Sequence, residues 1–182
     1  MGKLSGIRVV DLSLFLPGPM LTMMMADQGA QVFKVEPPTG DPARAMEPKE
    51  AGESVWFRNL NRGKHCIRLD LKTDEGRTQL WQLIAEADVL VEGFRPGVMD
   101  RLGFGYAAVS ARNPEIVYCS ISAFGQTGAM AHHPAHDIAV QAHAGTVSMG
   151  AGCPGGGAGC NGDGTEPAGV PRRGGRDVGR VG

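Results

Sequence analysis

Two arginines beside a tight turn are the side chains of this chain best placed for ligand chemistry. Arg95 follows the apolar run 89–91, and Arg101 lies in the next segment, which is expected to form a short helix. The intervening Pro96-Gly97 is typical of a tight turn. The end of a strand beside the start of a helix is a favoured anion site in α/β proteins, and guanidinium groups bind phosphate or carboxylate in a bidentate manner. The spacing therefore predicts an anion-binding corner.

Two lysines are expected at other strand ends. Lys34 is predicted to end the second strand, and Lys72 directly follows the third. Because parallel strands end at one edge of a sheet, these lysines are expected to converge there with Arg95. Together with Arg101, such a set suits a ligand that carries several phosphates. Solvated surface cations are the alternative, and the residues alone leave both interpretations open.

A histidine beside a carboxylate is the second candidate for chemistry. His136 can act as a general acid or base near neutral pH, with Asp137 next to it. Adjacent residues do not face each other along a strand, and a structural role is the more common one for such a pair. Cys66 and Cys119 are expected to be buried within strands. Neither the cysteines nor the other histidines have the spacing of a zinc site.

The elements that must position these residues alternate between strand and helix. Apolar runs predict five strands, at residues 6–12, 31–36, 66–71, 89–91 and 116–121. A helical pattern covers residues 20–28, and Thr73 is placed to cap a second helix. Strands that alternate with helices specify a doubly wound, mostly parallel α/β sheet.

Residues 40–63 fit neither pattern and predict a long excursion between the second and third strands. Segments of that length are usually functional or disordered. Trp56 and Phe57 argue against disorder, because large aromatic side chains favour docking onto the body of a domain.

Composition limits the class of protein. The chain has 182 residues, of which 42% are hydrophobic and 20% charged, and its formal net charge is −1. This balance gives no general attraction to nucleic acid or to an anionic membrane. The amino-terminal residues lack the apolar core of a signal peptide, and no run has the length of a transmembrane helix. We therefore expect a cytoplasmic enzyme or binding protein.

The apolar pattern stops near residue 150. Residues 150–182 contain 13 of the 28 glycines and neither leucine nor an aromatic residue, so they cannot bury enough apolar surface to offset their chain entropy. A native flexible tail is one interpretation. The abrupt change favours the other, a shifted reading frame, because Gly, Ala, Arg and Pro dominate a misread GC-rich message. The predicted organisation is a domain at 1–149 and an irregular Gly/Arg-rich tail at 150–182.

A set of segments carries a family resemblance: LSGIRVVDL (4–12), PGP (17–19), VFKVEP (32–37), NRGK (61–64), LDLK (69–72), ADVLVEGFRPGVMDRLG (87–103) and FGQTG (124–128). In this order they resemble the class III coenzyme A transferases of the CaiB/BaiF type. That group includes formyl-CoA transferase, carnitine CoA-transferase and α-methylacyl-CoA racemase. The resemblance covers about residues 4–150. It implies a Rossmann-like half of a larger subunit that forms interlocked homodimers.

The resemblance also implies that the ligand of the predicted corner is coenzyme A. CoA and acyl-CoA are substrates in this family rather than tightly bound cofactors, and a carboxylic acid is the second partner. The family's contacts to adenine and phosphates correspond to Lys34, Leu71, Lys72, Gly93, Phe94, Arg95 and Arg101. The cations selected by their places at strand ends are among them.

In the transferases that the chain resembles, an aspartate attacks the acyl-CoA thioester, and CoA converts the resulting mixed anhydride into an enzyme thioester. In the racemases a histidine and an aspartate move the α-proton, and His136-Asp137 matches the motif of that histidine. Residues 139–142 look more like those of transferases. The family aspartate falls within the glycine-rich tail, where Asp163 is the nearest candidate and Glu166 the next.

Three hypotheses about function follow from the resemblance. The first is a CoA transferase acting between an acyl-CoA donor and a carboxylic acid, with this chain as an inactive fragment of it if the absent second domain is required. The second is an α-methylacyl-CoA racemase in which His136 transfers the α-proton. The third is a CoA-binding fragment without catalytic activity.

Overall fold

The chain alternates strands and helices, as its apolar periodicity predicts. The computed structural model describes residues 2–145. In chain order the elements are β1 (Arg8–Asp11), α1 (Pro17–Asp27), β2 (Gln31–Glu36), a 3₁₀ helix (Pro42–Ala45), β3 (Lys49–Glu50), β4 (Glu53–Ser54), α2 (Val55–Leu60), β5 (Lys64–Arg68), α3 (Asp74–Ala85), β6 (Val89–Glu92), α4 (Val98–Leu102), α5 (Tyr106–Arg112), β7 (Val117–Ser120) and α6 (Asp137–His143).

The chain divides into two units, with the boundary between His132 and His133. The first unit holds every strand of the described residues, and α6 lies in the second. The predicted tail, with Asp163 and Glu166, lies outside the described residues. The predicted domain boundary at 149 therefore stays a prediction.

Five strands form one parallel sheet in the order β5-β2-β1-β6-β7. The chain first builds outward from β1 through β2 to β5, and then crosses back to add β6 and β7 on the other side. This confirms the doubly wound sheet. The strand order reverses between β1 and β6, and such a switch point is where open α/β sheets bind ligands, beyond the carboxyl ends of the strands.

Successive residues of β1 point to opposite faces of the sheet, so an apolar layer forms on each face. Val10 lies in the larger layer with Leu90 of β6, Leu80 and Ile84 of α3, and Phe104. None of these five side chains is more than 1% exposed. Full burial of each such side chain contributes about 1.5–3 kcal/mol to stability.

The second layer lies on the opposite face, beneath α1. Val9 belongs to it, together with Val32 and Val91 from the neighbouring strands. Leu21 and Met25 of α1 pack against these valines. The two layers hold β1 and β6 rigidly side by side, and the loops that leave their carboxyl ends start from fixed positions.

The helix predicted at residues 20–28 begins earlier, at Pro17. Proline is tolerated in the first turn because the N–H groups there have no partner within the helix. The predicted cap of α3 is confirmed, since Thr73 Oγ1 accepts a hydrogen bond of 3.1 Å from the Gly76 N–H. β2 has the predicted bounds, Gln31–Glu36.

The predicted burial of Cys66 is wrong. β5 runs from Lys64 to Arg68 rather than from 66 to 71, and it is an edge strand of the sheet. Cys66 is exposed there, because an edge strand receives less cover than a central one. Cys119 on β7 is partly buried and packs against the second apolar layer.

The excursion at 40–63 is folded rather than irregular. It contains the 3₁₀ helix, an antiparallel pair of short strands and α2. Phe57 docks as predicted, with the Arg44 guanidinium 3.8 Å from its ring centroid, whereas Trp56 is 38% exposed. Within residues 2–145, none of the helices has the length and apolar character needed to cross a membrane.

Candidate functional site

The predicted corner lies where β6 runs into α4, beside the switch point. Gly97 precedes α4 with a φ of 78°, in the left-handed region that glycine enters without steric cost. The Val98 N–H donates a 3.1 Å hydrogen bond to the Arg95 carbonyl and closes the turn. Arg95 and Arg101 are both exposed. A Cβ atom added to Gly97 would lie 3.4 Å from Nη1 of Arg101, so the two arginines flank the same turn.

A buried carboxylate fixes the entry to this corner. Glu92 ends β6 and is 3% exposed, and its Oε2 accepts a 2.7 Å hydrogen bond from the Phe94 N–H. The Ser120 hydroxyl donates to Oε1 of Glu92, and the Gln126 side-chain amide donates to Ser120 Oγ at 2.6 Å. The corner is therefore hydrogen-bonded to β7 and to the loop that follows it.

A cleft of about 340 Å³ opens beside Arg95. Burial, reinforced by the carboxylates of Glu92 and Asp100, raises the pKa of Tyr118. The neutral Tyr118 hydroxyl donates a 3.1 Å hydrogen bond to the Phe104 carbonyl. The walls combine aromatic, hydrophobic and polar side chains with two glycines: Glu92, Arg95, Gly97, Met99, Asp100, Gly105, Tyr106, Tyr118, Ser120 and Gln126. Such a cleft suits a ligand that is partly apolar and carries an anionic group.

Lys34 does not lie where the sequence analysis placed it. It lies within β2, two residues before the strand ends at Glu36, and its side chain has no exposed surface. Its Nζ donates a 2.8 Å hydrogen bond to the Ser13 carbonyl. Nζ also lies 3.0 Å from Oδ2 of Asp41, at the distance of an ion pair but without the alignment of a hydrogen bond. The ammonium group of Lys34 is therefore enclosed by protein and not exposed at the sheet edge, and its predicted contact with a phosphate stays a prediction.

Lys72 and Leu71 lie beyond β5, on the other side of the switch point from Arg95. Lys72 is exposed, and its N–H donates a 3.0 Å hydrogen bond to Oδ1 of Asp70. Leu71 is partly buried against the larger apolar layer. β2 and β1 separate β5 from β6, so the two strand ends are about 14 Å apart. The exposed cations thus form two groups along one edge of the sheet.

A second buried ammonium group, which the sequence pattern did not indicate, lies near the switch point. Lys64 Nζ lies 3.2 Å from Oδ2 of Asp11 and donates to the Pro19 carbonyl at 2.9 Å. Both side chains have no exposed surface. Burial lowers the pKa of Lys64, and attraction to Asp11 offsets this only in part. The sequence feature that could have indicated this pair is Asp11, a carboxylate that directly continues an apolar strand. A buried carboxylate requires a partner.

A further buried carboxylate lies at the end of β2. Glu36 receives two hydrogen bonds of 2.7 Å from the Arg44 guanidinium and one of 2.8 Å from the Asp41 N–H. Burial alone would raise the pKa of Glu36, but these hydrogen bonds and the charge of Arg44 outweigh it and lower the pKa below the ordinary 4.5. The Glu36–Arg44 ion pair connects the excursion to β2.

We expect this pair to make stability depend on pH. A carboxyl group with a lowered pKa in the folded state stabilises the fold fully above its ordinary pKa and loses that contribution as the pH falls through the folded pKa. Glu36→Gln should therefore cost roughly 1.5–3 kcal/mol at neutral pH. The difference in the free energy of unfolding between the two proteins should shrink when the pH falls below 4.5, the ordinary pKa of the carboxyl group. Denaturant unfolding of both proteins across this range measures it, and a difference that does not change with pH would contradict the assignment.

The predicted pair His136-Asp137 belongs to the second unit. His136 immediately precedes α6, with an extended backbone, and Asp137 lies in the first turn of that helix. Oδ2 of Asp137 accepts a 2.7 Å hydrogen bond from the Gln141 side-chain amide. Both His136 and Asp137 are exposed, and no hydrogen bond joins them among residues 133–145. Across residues 2–145 the chain contains no cluster of three metal-ligating side chains.

The model of a family described as CoA-transferase family III matches residues 4–162. An acetyl-CoA:oxalate CoA-transferase of Acetobacter aceti is 46% identical over 145 residues, covering 79% of this chain and 37% of that protein. A succinyl-CoA:mesaconate CoA-transferase of Haloarcula hispanica is 39% identical, covering 82% of this chain and 40% of that protein.

Among solved structures, a CAIB/BAIF family protein from Brucella suis superposes with a TM-score of 0.78 at 38% identity, over 82% of this chain and 41% of that one. The chain thus spans about two-fifths of the length of the relatives it matches. The matched residues include β1, the corner at the end of β6 and the sheet between them. This chain belongs to CoA-transferase family III.

Proposed function

We propose that this chain forms the CoA-binding part of an enzyme that transfers CoA from an acyl-CoA donor to a carboxylic acid. The observation that carries the proposal is the pair of exposed arginines, Arg95 and Arg101, which flank one turn at the switch point of the sheet. Relatives over most of this chain are named as CoA-transferases. Such proteins act on CoA thioesters, and CoA is a polyanion.

CoA carries two separate anionic groups, a diphosphate and a ribose 3′-phosphate. Arg95 and Arg101 are proposed to bind one of them, with the backbone of Gly93 and Phe94 beside it. Lys72 and Leu71, across about 14 Å of the sheet edge, are proposed to contact the other end of the nucleotide. The corner is proposed to bind its phosphate more strongly than Lys72 does, because guanidinium groups make bidentate charge-assisted hydrogen bonds.

The transfer itself requires a carboxylate nucleophile. Its oxygen attacks the thioester carbonyl carbon, the C–S bond breaks, and CoA leaves as a thiolate, so that an acyl anhydride joins the enzyme and the acid. The CoA thiolate then attacks the anhydride carbonyl that belongs to the enzyme, which releases the donor acid and leaves an enzyme thioester. The acceptor carboxylate attacks this thioester and displaces the CoA thiolate, which forms a second anhydride. Attack of the thiolate on the acceptor's carbonyl releases the acceptor as its CoA ester and restores the enzyme carboxylate. Asp163 stays the candidate for this nucleophile in the present chain, and the homodimer and the cytoplasmic location stay predictions.

Two alternative functions predict different reactions with acyl-CoA. A racemase would use His136 to exchange the α-proton of a 2-methylacyl-CoA without any acceptor acid. The names of the relatives favour transfer over racemisation. A non-catalytic CoA-binding part would bind CoA and perform neither reaction.

Calorimetric titration of the full chain with CoA tests the proposal, with dephospho-CoA as the matched ligand that lacks the 3′-phosphate. CoA should bind more tightly than dephospho-CoA. Mass spectrometry of mixtures of an acyl-CoA and a dicarboxylic acid then detects transfer, and incubation of a 2-methylacyl-CoA in D₂O detects exchange. Absence of binding at millimolar CoA, in a chain shown by circular dichroism to be folded, would exclude the proposed function for this polypeptide.

A further inference from the structure

Ser13 is packed between two glycines at the switch point. It follows β1 and is 1% exposed. On one side, a Cβ atom added to Gly18 would overlap with Ser13 Oγ. On the other side, a Cβ atom added to Gly93 would lie 3.4 Å from the Ser13 Cβ and 3.7 Å from its Cα. Ser13 therefore forms the surface against which the Gly93–Arg95 segment rests.

Buried hydrogen bonds hold Ser13 in this position. Its N–H donates to Oδ1 of Asp11 at 2.9 Å, and its hydroxyl donates to the same oxygen. Its carbonyl accepts the 2.8 Å hydrogen bond from Lys34 Nζ. Lys34 reaches this carbonyl from β2, so a side chain of one strand fixes the loop that leaves its neighbour.

Burying an ammonium group costs free energy of desolvation, so the charge must be compensated by a carboxylate or by hydrogen bonds. Asp41 lies 3.0 Å from Nζ and supplies the compensating charge. An apolar side chain of similar length could fill the same volume. It could not donate to the Ser13 carbonyl, which lies in a loop beyond the end of β1.

We propose that Lys34 is a positioning residue of the CoA-binding corner. It acts through Ser13 on Gly93 and the arginine that follows, and it does not touch the ligand. This inference rests on the proposed function, because it assigns Lys34 a part in CoA binding. It also explains how a lysine predicted as a phosphate contact can serve that site from a fully buried position.

The test removes both buried charges together. Lys34→Met/Asp41→Asn deletes the donor to Ser13, while the amide oxygen introduced at position 41 can still accept from the Ala43 N–H, as Asp41 does at 2.9 Å. We expect this variant to fold and to bind CoA at least about tenfold more weakly, because the corner loses its support. Glu36→Gln/Arg44→Met is the matched control, since it removes another ion pair between β2 and the excursion, of which only Glu36 is buried, without contacting Ser13. Its CoA affinity should stay within about twofold of that of the unsubstituted protein.

A second pair of variants, both at Ser13, changes no buried charge. Ser13→Gly removes the Cβ atom that packs against Gly93, whereas Ser13→Ala keeps this atom and loses only the hydroxyl. Ser13→Gly should weaken CoA binding more than Ser13→Ala does. If the double charge variant does not fold, this comparison decides the proposal, and equal affinities would overturn it.

Hydrogen exchange separates the positioning role from the proposed function. The amides of residues 92–95 and 97 should exchange faster in Lys34→Met/Asp41→Asn than in the unsubstituted protein, with or without CoA. Unchanged exchange there, or CoA affinity equal to that of the unsubstituted protein in the folded variant, would overturn the inference. A wild-type chain that fails to bind CoA would refute the proposed function, and exchange at the corner would then still decide whether Lys34 positions it.

Discussion

Replacing Arg95 by alanine is expected to weaken CoA binding by about ten- to a hundredfold, and Arg101→Ala by a similar factor. Arg95 lies on the turn between β6 and α4 and Arg101 lies in α4 itself, and each exposed guanidinium can donate two parallel hydrogen bonds to a phosphate. Losing a charge-assisted pair of this kind costs roughly 1.5–3 kcal/mol. Arg95→Lys should recover only part of the loss, because it keeps the charge and loses the bidentate geometry. Titration calorimetry on the folded variants measures the effect.

Arg58→Ala is the matched control for this prediction. Arg58 is also an exposed arginine, but it lies on α2 and pairs with Glu50. Its removal should leave CoA affinity unchanged within about twofold. Equal affinity of Arg95→Ala, Arg101→Ala and Arg58→Ala would show that the corner does not bind CoA.

Replacing Asp11 by alanine is expected to cost about 3–5 kcal/mol of the free energy of unfolding. The change leaves the Lys64 ammonium buried without its carboxylate partner, and it removes acceptors from Ser13 and Thr22. Both charged side chains are fully enclosed, so water cannot replace the lost partner. Denaturant unfolding at neutral pH, compared with the unsubstituted protein, measures this loss.

Asp27→Ala is the control for burial. Asp27 also pairs with a cation, Arg62, but both side chains are about half exposed. Exposed pairs of this kind contribute about 0–1 kcal/mol. Removing Asp11 and Lys64 together, as Asp11→Leu/Lys64→Met, should recover much of the loss of Asp11→Ala, because no uncompensated charge remains. A loss for Asp11→Ala no larger than that for Asp27→Ala would contradict the buried pair.

The fold of the first unit and the turn that carries Arg95 could both be predicted from the sequence. Periodicity placed β2 at 31–36, and the order of strand and helix indicated the doubly wound sheet. The corner could be predicted because all of its parts are local: an apolar strand, Pro96-Gly97 and two arginines within a few residues. Local geometry, set by backbone sterics, decides such a turn wherever the rest of the chain lies.

Only the tertiary structure decided which charged groups reach solvent. Lys34 and Lys72 both occur near strand ends in the sequence, yet one is enclosed and the other exposed. The enclosure of Lys34 requires Ser13, from the loop after β1, and Asp41, from the excursion, to meet it. Asp11 and Lys64 are 53 residues apart and pair only because β2 brings β1 and β5 to its two sides.

The sequence by itself therefore determined the alternation of elements and the Arg95-Pro96-Gly97 turn, since these depend on backbone preferences and on neighbouring side chains. The exposure of Cys66 and the burial of Lys34 depend on strand order, which places one residue on an edge strand and the other inside the sheet. The physical reason is the cost of desolvating a charge. A lysine can be buried only where distant groups converge to compensate it, and their convergence is a property of the folded chain alone.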